Sequence, residues 1–276
     1  MDHLTLTHQS LAFPAIAAGP TDGDLVMLLH GFPQTSRAWS GQIPSLAAAG
    51  WRAVAPDLRG FAAGALPETV GEYTQEHIRS DVFAIANQLG AQRFHLVGHD
   101  LGGIVAWDIA CRRPERIRSL TVVSTPHLTA FAAALDAQQP PLPPFDLFRQ
   151  PGTAERQMLS NNAAALRTSY AGLEPAAIDH YVAHFSSPSI LTGGLNHFRA
   201  FDYAHWRTLP AATMPTQFIW GSEDPYLADS TARATRDHVT GPYTEVRLDG
   251  IGHWVPELAP IQMTELLLKH LQLPTP

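Results

Sequence analysis

The 276-residue sequence has a single cysteine, Cys111, so no intramolecular disulfide can form within it. Cys111 falls in an apolar, helix-like run and reads as a small buried hydrophobe. No apolar run is long enough to cross a bilayer. The N-terminus, Met1-Asp2-His3-Leu4-Thr5, lacks the basic-then-apolar order of a secretory signal. A cytoplasmic location and no membrane partner are therefore expected. Charged residues make up only 16%, and acidic residues outnumber basic ones by 25 to 18, for a net charge of −7. That balance disfavours a phosphate backbone as partner, so no nucleic-acid role is expected. Histidines number 14, but no H-x3-H or H-E-x-x-H metal pattern at helical spacing is expected among them, and neither a metal nor a cofactor is expected.

What the sequence does have is apolar bulk and one distinctive stretch. Hydrophobic residues make up 45%, enough for a large core and too many for a disordered chain. The stretch is Phe94-His95-Leu96-Val97-Gly98-His99-Asp100-Leu101-Gly102-Gly103-Ile104, an apolar strand running straight into an apolar helix. Gly98, Gly102 and Gly103 permit the tight turn, since side chains there would block close strand–helix packing. G-x-D-x-G-G is a nucleophile elbow with aspartate at the apex. Asp100 is expected to stand out above the sheet, ionised, beside a helix N-terminus. The competing reading makes it only the cap of the helix that follows.

Aspartate at the apex points to a particular chemistry. A serine needs a base to become a nucleophile, whereas a carboxylate is already ionised at neutral pH. It is a weak nucleophile suited to a strained or activated sp3 carbon, such as an epoxide or an alkyl halide. The product is an alkyl ester that water must then hydrolyse, which calls for a histidine.

The rest of the chain frames this elbow. Residues 3–18 read as two short strands and Leu25–Leu29 as a buried parallel strand ending in His30-Gly31-Phe32-Pro33. The Phe32 and Leu101 amides are candidates for an oxyanion hole. A helix is expected over Trp39–Gly50, a strand over Trp51–Ala55 and a helix over Glu76–Leu89. A strand follows at Ile117–Val123. Repeated strand–helix–strand order predicts an α/β fold with a mostly parallel, doubly wound sheet. After His127 the strands stop. Residues 128–207 carry the proline-rich Gln138–Pro144 break, alanine-rich helical stretches and many aromatics, and read as an inserted helical cap. The core is then 1–127 and 208–276. Strands are expected again at Thr216–Trp220 and Thr244–Leu248, and a closing helix at Glu257–Leu271.

Three residues follow strands in the order Asp100, Asp224, His253, the nucleophile–acid–histidine order of this architecture. His253 is the expected base for the hydrolytic water, and Asp224 the expected partner of its imidazole, with the adjacent Glu223 as the alternative.

His30-Gly31-Phe32-Pro33, Asp57-Leu58-Arg59-Gly60, Gly98-His99-Asp100-Leu101-Gly102-Gly103, Trp220-Gly221-Ser222-Glu223-Asp224 and Gly252-His253-Trp254 together resemble an α/β-hydrolase of the epoxide hydrolase branch. The resemblance covers essentially the whole chain. It implies the α/β-hydrolase fold and a small hydrophobic substrate, with a homodimer left open. It also implies two cap tyrosines that hold and protonate the epoxide oxygen. The first usually stands in an L-N-W-Y-R segment, here Leu195-Asn196-His197-Phe198-Arg199. The second precedes P-G-x-A-E, where this chain has Phe145-Asp146-Leu147-Phe148. Both hydroxyls are absent, and Leu101 stands where the family often has tryptophan.

General acid assistance is typically worth about 10²–10⁴-fold, so either another donor acts or the substrate differs. His197 is the first candidate donor, with Tyr203, His127, Tyr170 and Tyr181 behind it. His30, His127, His197, Phe198, Tyr203 and Trp254 are the expected pocket residues. The leading expectation is hydrolysis of an epoxide. A haloalkane or haloacid dehalogenase is a second, although Leu101 cannot cradle halide as tryptophan does in haloalkane dehalogenases, or hold a carboxylate as arginine does in fluoroacetate dehalogenases. A third is a repurposed scaffold acting as lyase, cyclase or isomerase on a bulky metabolite, or only binding it.

Overall fold

The computed structural model describes residues 1–141 and 143–273; Leu142, within the proline-rich stretch, lies outside the described residues. Eight strands form one sheet: β1 Asp2–His8, β2 Leu11–Ala18, β3 Leu25–Leu29, β4 Arg52–Pro56, β5 Phe94–His99, β6 Ile117–Val123, β7 Thr216–Gly221 and β8 Tyr243–Leu248. Their spatial order is β1-β2-β4-β3-β5-β6-β7-β8. The first two pairings in that order are antiparallel and the rest parallel.

β3 is apolar and buried at every position because both faces of the sheet are covered. In β3 the side chains alternate between two cores. Leu25, Met27 and Leu29 join one cluster and Val26 and Leu28 the other, as the two-residue strand period demands. In β5, Phe94 and Leu96 face the first cluster and Val97 the second. Helices α2 (Gln75–Gln88) and α3 (Leu101–Arg112) supply buried residues to the first cluster. Helices α1 (Ile43–Ala48) and α12 (Pro260–Leu271) supply them to the second.

Among the described residues, six helices lie between β6 and β7: α4 Leu128–Asp136, α5 Phe145–Phe148, α6 Thr153–Ser169, α7 Pro175–Phe185, α8 Pro188–Ala200 and α9 Tyr203–Arg207. The backbone leaves the helical region within α6, at Ser160–Ala163. After β7 comes α10 (Asp229–Ala234).

Two helices differ from expectation. In place of one helix over Trp39–Gly50 there is a short 3-10 turn, Ser36–Trp39, and then α1, whose second position is Pro44. Proline is favoured in a first turn and disfavoured inside a helix, so α1 starts there. The closing segment is likewise two helices, α11 (Val255–Leu258) and α12, with Pro260 opening the second. Among the described residues no helix is long and apolar enough to cross a membrane.

Candidate active site

Asp100 sits between β5 and α3 with φ +50° and ψ −116°, a sparsely populated conformation costing about 1–3 kcal/mol. The surrounding contacts hold it there. Its amide donates to Val123 O at 3.2 Å, and its carbonyl accepts from Ile104 N at 3.0 Å and Thr125 Oγ1 at 2.9 Å. The turn closes only because Gly102 is bare; a Cβ there would stand 2.3 Å from Leu29 O.

The Asp100 side chain makes no helix-capping bond. Its Oδ1 accepts the Phe32 N–H at 2.7 Å, and its Oδ2 lies 3.4 Å from His253 Nε2. The carboxylate is partly covered, with 26% of its side chain exposed, so it stands out less than the elbow pattern alone suggests. Leu101 opens α3, so its amide belongs to the helix's unpaired first turn beside the same carboxylate.

His253 is held on both sides. Its Nδ1–H donates to Asp224 Oδ2 at 2.8 Å. Asp224 is buried and Glu223 exposed, which decides between the two neighbours. The other Asp224 oxygen accepts the Tyr226 N–H at 2.9 Å. The His253 carbonyl accepts from Ser124 Oγ and from His99 Nε2, each at 2.9 Å. Burial works against charge on His253, but Asp224 and Asp100 outweigh it and hold its pKa well above the ordinary value. For Asp100, burial works against ionisation, and the His253 hydrogen bond and charge prevail, so its pKa is lowered.

Above the pair lies a cavity between the carboxyl edge of the sheet and the helices after β6. Its wall is mostly apolar, with Phe131, Phe145, Phe148, Met158, Phe198 and Trp254 among its residues. Of the expected pocket residues, Phe198 and Trp254 are there.

Four expected pocket residues are placed elsewhere. His30 is fully buried below the site, accepting the Leu58 N–H at Nε2 and facing Gly31 O at Nδ1, so it shapes the β3 loop. His127 caps α4 by accepting the Thr129 N–H, and its ring packs between Trp107 and His238. His197 donates to Arg59 O at 2.6 Å, away from the cavity, and burial pushes its pKa down to about 4. An imidazole that neutral and that distant cannot replace the missing acid. Tyr203 lines a neighbouring hollow beyond Phe145, with the Arg149 guanidinium 4.4 Å from its ring centre. Tyr170 and Tyr181, the remaining candidate donors, give their hydroxyls to Pro33 O and Glu257 Oε2.

The sequence reading missed Tyr226. It lines the cavity beside Asp100 and packs edge-on against His253, ring centres 5.0 Å apart. Its position two residues after Asp224 was the available signal. His180 and His184, four apart on α7, do form an H-x3-H pair, against the expectation of none, but His184 faces Phe61 O. No group of three metal-ligating side chains occurs among the described residues.

An ionised carboxylate, held by an amide and faced by an imidazole that a second carboxylate orients, can attack a carbon and then be freed by water. Known proteins resemble this chain over nearly its whole length. The family model for the alpha/beta hydrolase fold matches residues 24–260. Epoxide hydrolase A of Mycobacterium tuberculosis is 29% identical, covering 93% of this chain and 92% of that protein. The AB hydrolase superfamily protein YfhM of Bacillus subtilis is 31% identical, covering 93% of each. The crystal structure of epoxide hydrolase A from Mycobacterium thermoresistibile superimposes with a TM-score of 0.88 at 27% identity, covering 100% of this chain and 99% of that one.

Proposed function

The chain belongs to the alpha/beta hydrolase fold family, and from that premise we propose that it hydrolyses an epoxide to a vicinal diol through an alkyl ester on Asp100. The observation that carries this reading is the placement of Asp100. Its Oδ1 is fixed by the Phe32 amide while its Oδ2 faces both His253 and an apolar cavity. Relatives that carry the name epoxide hydrolase support the substrate class.

In the first step Asp100 Oδ2 attacks an epoxide carbon, the carbon–oxygen bond breaks, and the ring oxygen takes a proton. In the second, His253 removes a proton from water, which attacks the ester carbonyl. The Phe32 and Leu101 amides stabilise the oxyanion that forms there. Asp224 fixes the imidazole and stabilises its charged form. Residues 1–127 and 208–276 serve as the catalytic core, and 128–207 as the cap that walls the cavity. The mechanism uses no cofactor.

The dehalogenase reading is weaker in this cavity. The Trp254 indole N–H, which lies in the wall, donates to Ser169 O at 2.8 Å and is not free for halide.

The test is intact mass of the His253→Gln chain after incubation with a panel of epoxides and alkyl halides. Loss of the base should strand the ester, giving an epoxide adduct that an Asp100→Ala control lacks. Adducts from halides alone would replace the reading with dehalogenation. No adduct from the panel, and no diol from the wild type, would sink it.

A further inference from the structure

We propose that Tyr226 is the proton donor to the oxygen released when Asp100 opens an epoxide, an inference that rests on the function proposed above. The role needs a donor, because Phe198 stands at one position where the family resemblance implies a tyrosine, and the segment that holds the other, Phe145-Asp146-Leu147-Phe148, has none. Four hydroxyl side chains line the cavity: Ser124, Thr125, Ser169 and Tyr226. Ser124 Oγ donates to His253 O at 2.9 Å, Thr125 Oγ1 to Asp100 O at 2.9 Å and Ser169 Oγ to Leu166 O at 2.7 Å. Tyr226 holds the one hydroxyl with no hydrogen-bond partner among the described residues.

Its position suits the chemistry. Displacement from the back side sends the leaving oxygen away from the attacking carboxylate. The donor must therefore open onto that cavity and be free of any bond to Asp100. Tyr226 meets both conditions, and Asp224 accepts its main-chain N–H at 2.9 Å. Burial, then the charges of Asp100 and Asp224, raise the pKa of its phenol, so it carries its proton at neutral pH.

The protons balance around the pair Tyr226 and His253. The resting site holds ionised Asp100, charged His253 and neutral Tyr226. Attack forms the ester bond and breaks the epoxide bond, and the electron pair on oxygen takes the Tyr226 proton. Esterification removes the Asp100 charge that held the His253 proton, and that proton passes to the tyrosinate beside it. Neutral His253 then takes a proton from water, and hydroxide adds to the ester carbonyl. Collapse releases the second diol oxygen, which takes the remaining hydrogen of the water, and the resting site returns. The two rings are in edge contact, with centres 5.0 Å apart.

The experiment compares alkylation of Asp100 in the His253→Gln chain and in His253→Gln/Tyr226→Phe, by intact mass with peptide mapping. Styrene oxide and benzyl bromide are the probes, since bromide leaves without a proton. The second substitution is expected to slow epoxide alkylation by about 10²–10⁴-fold and leave benzylation unchanged. Equal epoxide rates in the two chains would overturn the proposal. So would parallel loss of both reactions, because Tyr226 would then act on the nucleophile and not on the leaving oxygen. If neither the wild type nor His253→Gln reacts with any epoxide, the proposed function itself fails, and this inference with it.

Discussion

Asp100 Oδ2 and His253 Nε2 face each other at 3.4 Å, within the reach of charge but too far for a strong hydrogen bond. The other imidazole nitrogen is 2.8 Å from Asp224. His253 is thus a cation between two carboxylates, and one of them is the nucleophile. Alkylating Asp100 removes one of the two charges. The base is released only when there is an ester to hydrolyse. Asp100→Asn imitates that neutral state, so it should lower the His253 pKa relative to wild type. Titration of the imidazole nitrogens by NMR measures this, and an unchanged pKa would refute the coupling.

Gly31 gives a second test. A Cβ at this position would stand 2.7 Å from Asp100 Cβ and 2.9 Å from Asp100 Oδ1. Gly31→Ala must therefore push the carboxylate off the Phe32 amide. We expect kcat to fall about 10²-fold or more, the size of losing one oxyanion donor, with only modest loss of stability. Single-turnover ester formation and a urea melt separate the two. Wild-type kcat in the folded variant would show that the bond between Phe32 and Asp100 is dispensable.

The Asp100 elbow and the two-faced sheet were legible because backbone sterics write them into sequence. Gly102 and the apolar run of β3 admit few other readings. Between Glu223 and Asp224 the sequence favours Asp224 but leaves Glu223 open, since adjacent residues in a turn differ only by which way the chain faces. The cap was the hardest part. His197 and Phe198 are neighbours on α8, about 100° apart around the helix. One is buried against Arg59 and the other lines the cavity. That difference is set by how α8 docks, which no local pattern encodes. Tyr226 escaped notice for the same reason, as a single aromatic in a loop.

A third test concerns a buried chain of side chains behind His253. Tyr181 Oη donates to Glu257 Oε2, whose carboxyl is 2.5 Å from the Gln34 amide; Gln34 is 3.0 Å from His99 Nδ1, and His99 Nε2 donates to His253 O. Burial raises the Glu257 pKa and lowers that of His99 to about 4. Gln34→Ala would leave His99 and Glu257 without their shared partner, at about 1–3 kcal/mol for a buried unsatisfied group. Because the chain ends on the His253 main chain, we expect kcat to fall about 10-fold or more with KM little changed. A rise in KM alone would place the role of Gln34 in the pocket wall.

The histidines predict the pH dependence of stability. Burial holds His95, His99, His197 and His270 at about 4 and His127 at about 3. Unfolded, each titrates near 6.5. Between these values the unfolded chain binds more protons, so stability falls as the medium is acidified from about 6.5 towards 4, by up to about 1.4 kcal/mol per pH unit for each histidine. His253 works the other way. Its folded pKa is raised to about 10, so its stabilising share is complete below about 6.5 and is lost as the pH rises through the folded value. Urea midpoints should therefore peak near neutrality and decline on both sides. In the His253→Gln chain the acid decline should remain, because His253 is protonated in both states below about 6. The part of the alkaline decline due to His253 should disappear. An unchanged alkaline limb in that variant would mean that His253 is not the cation that the two carboxylates make it.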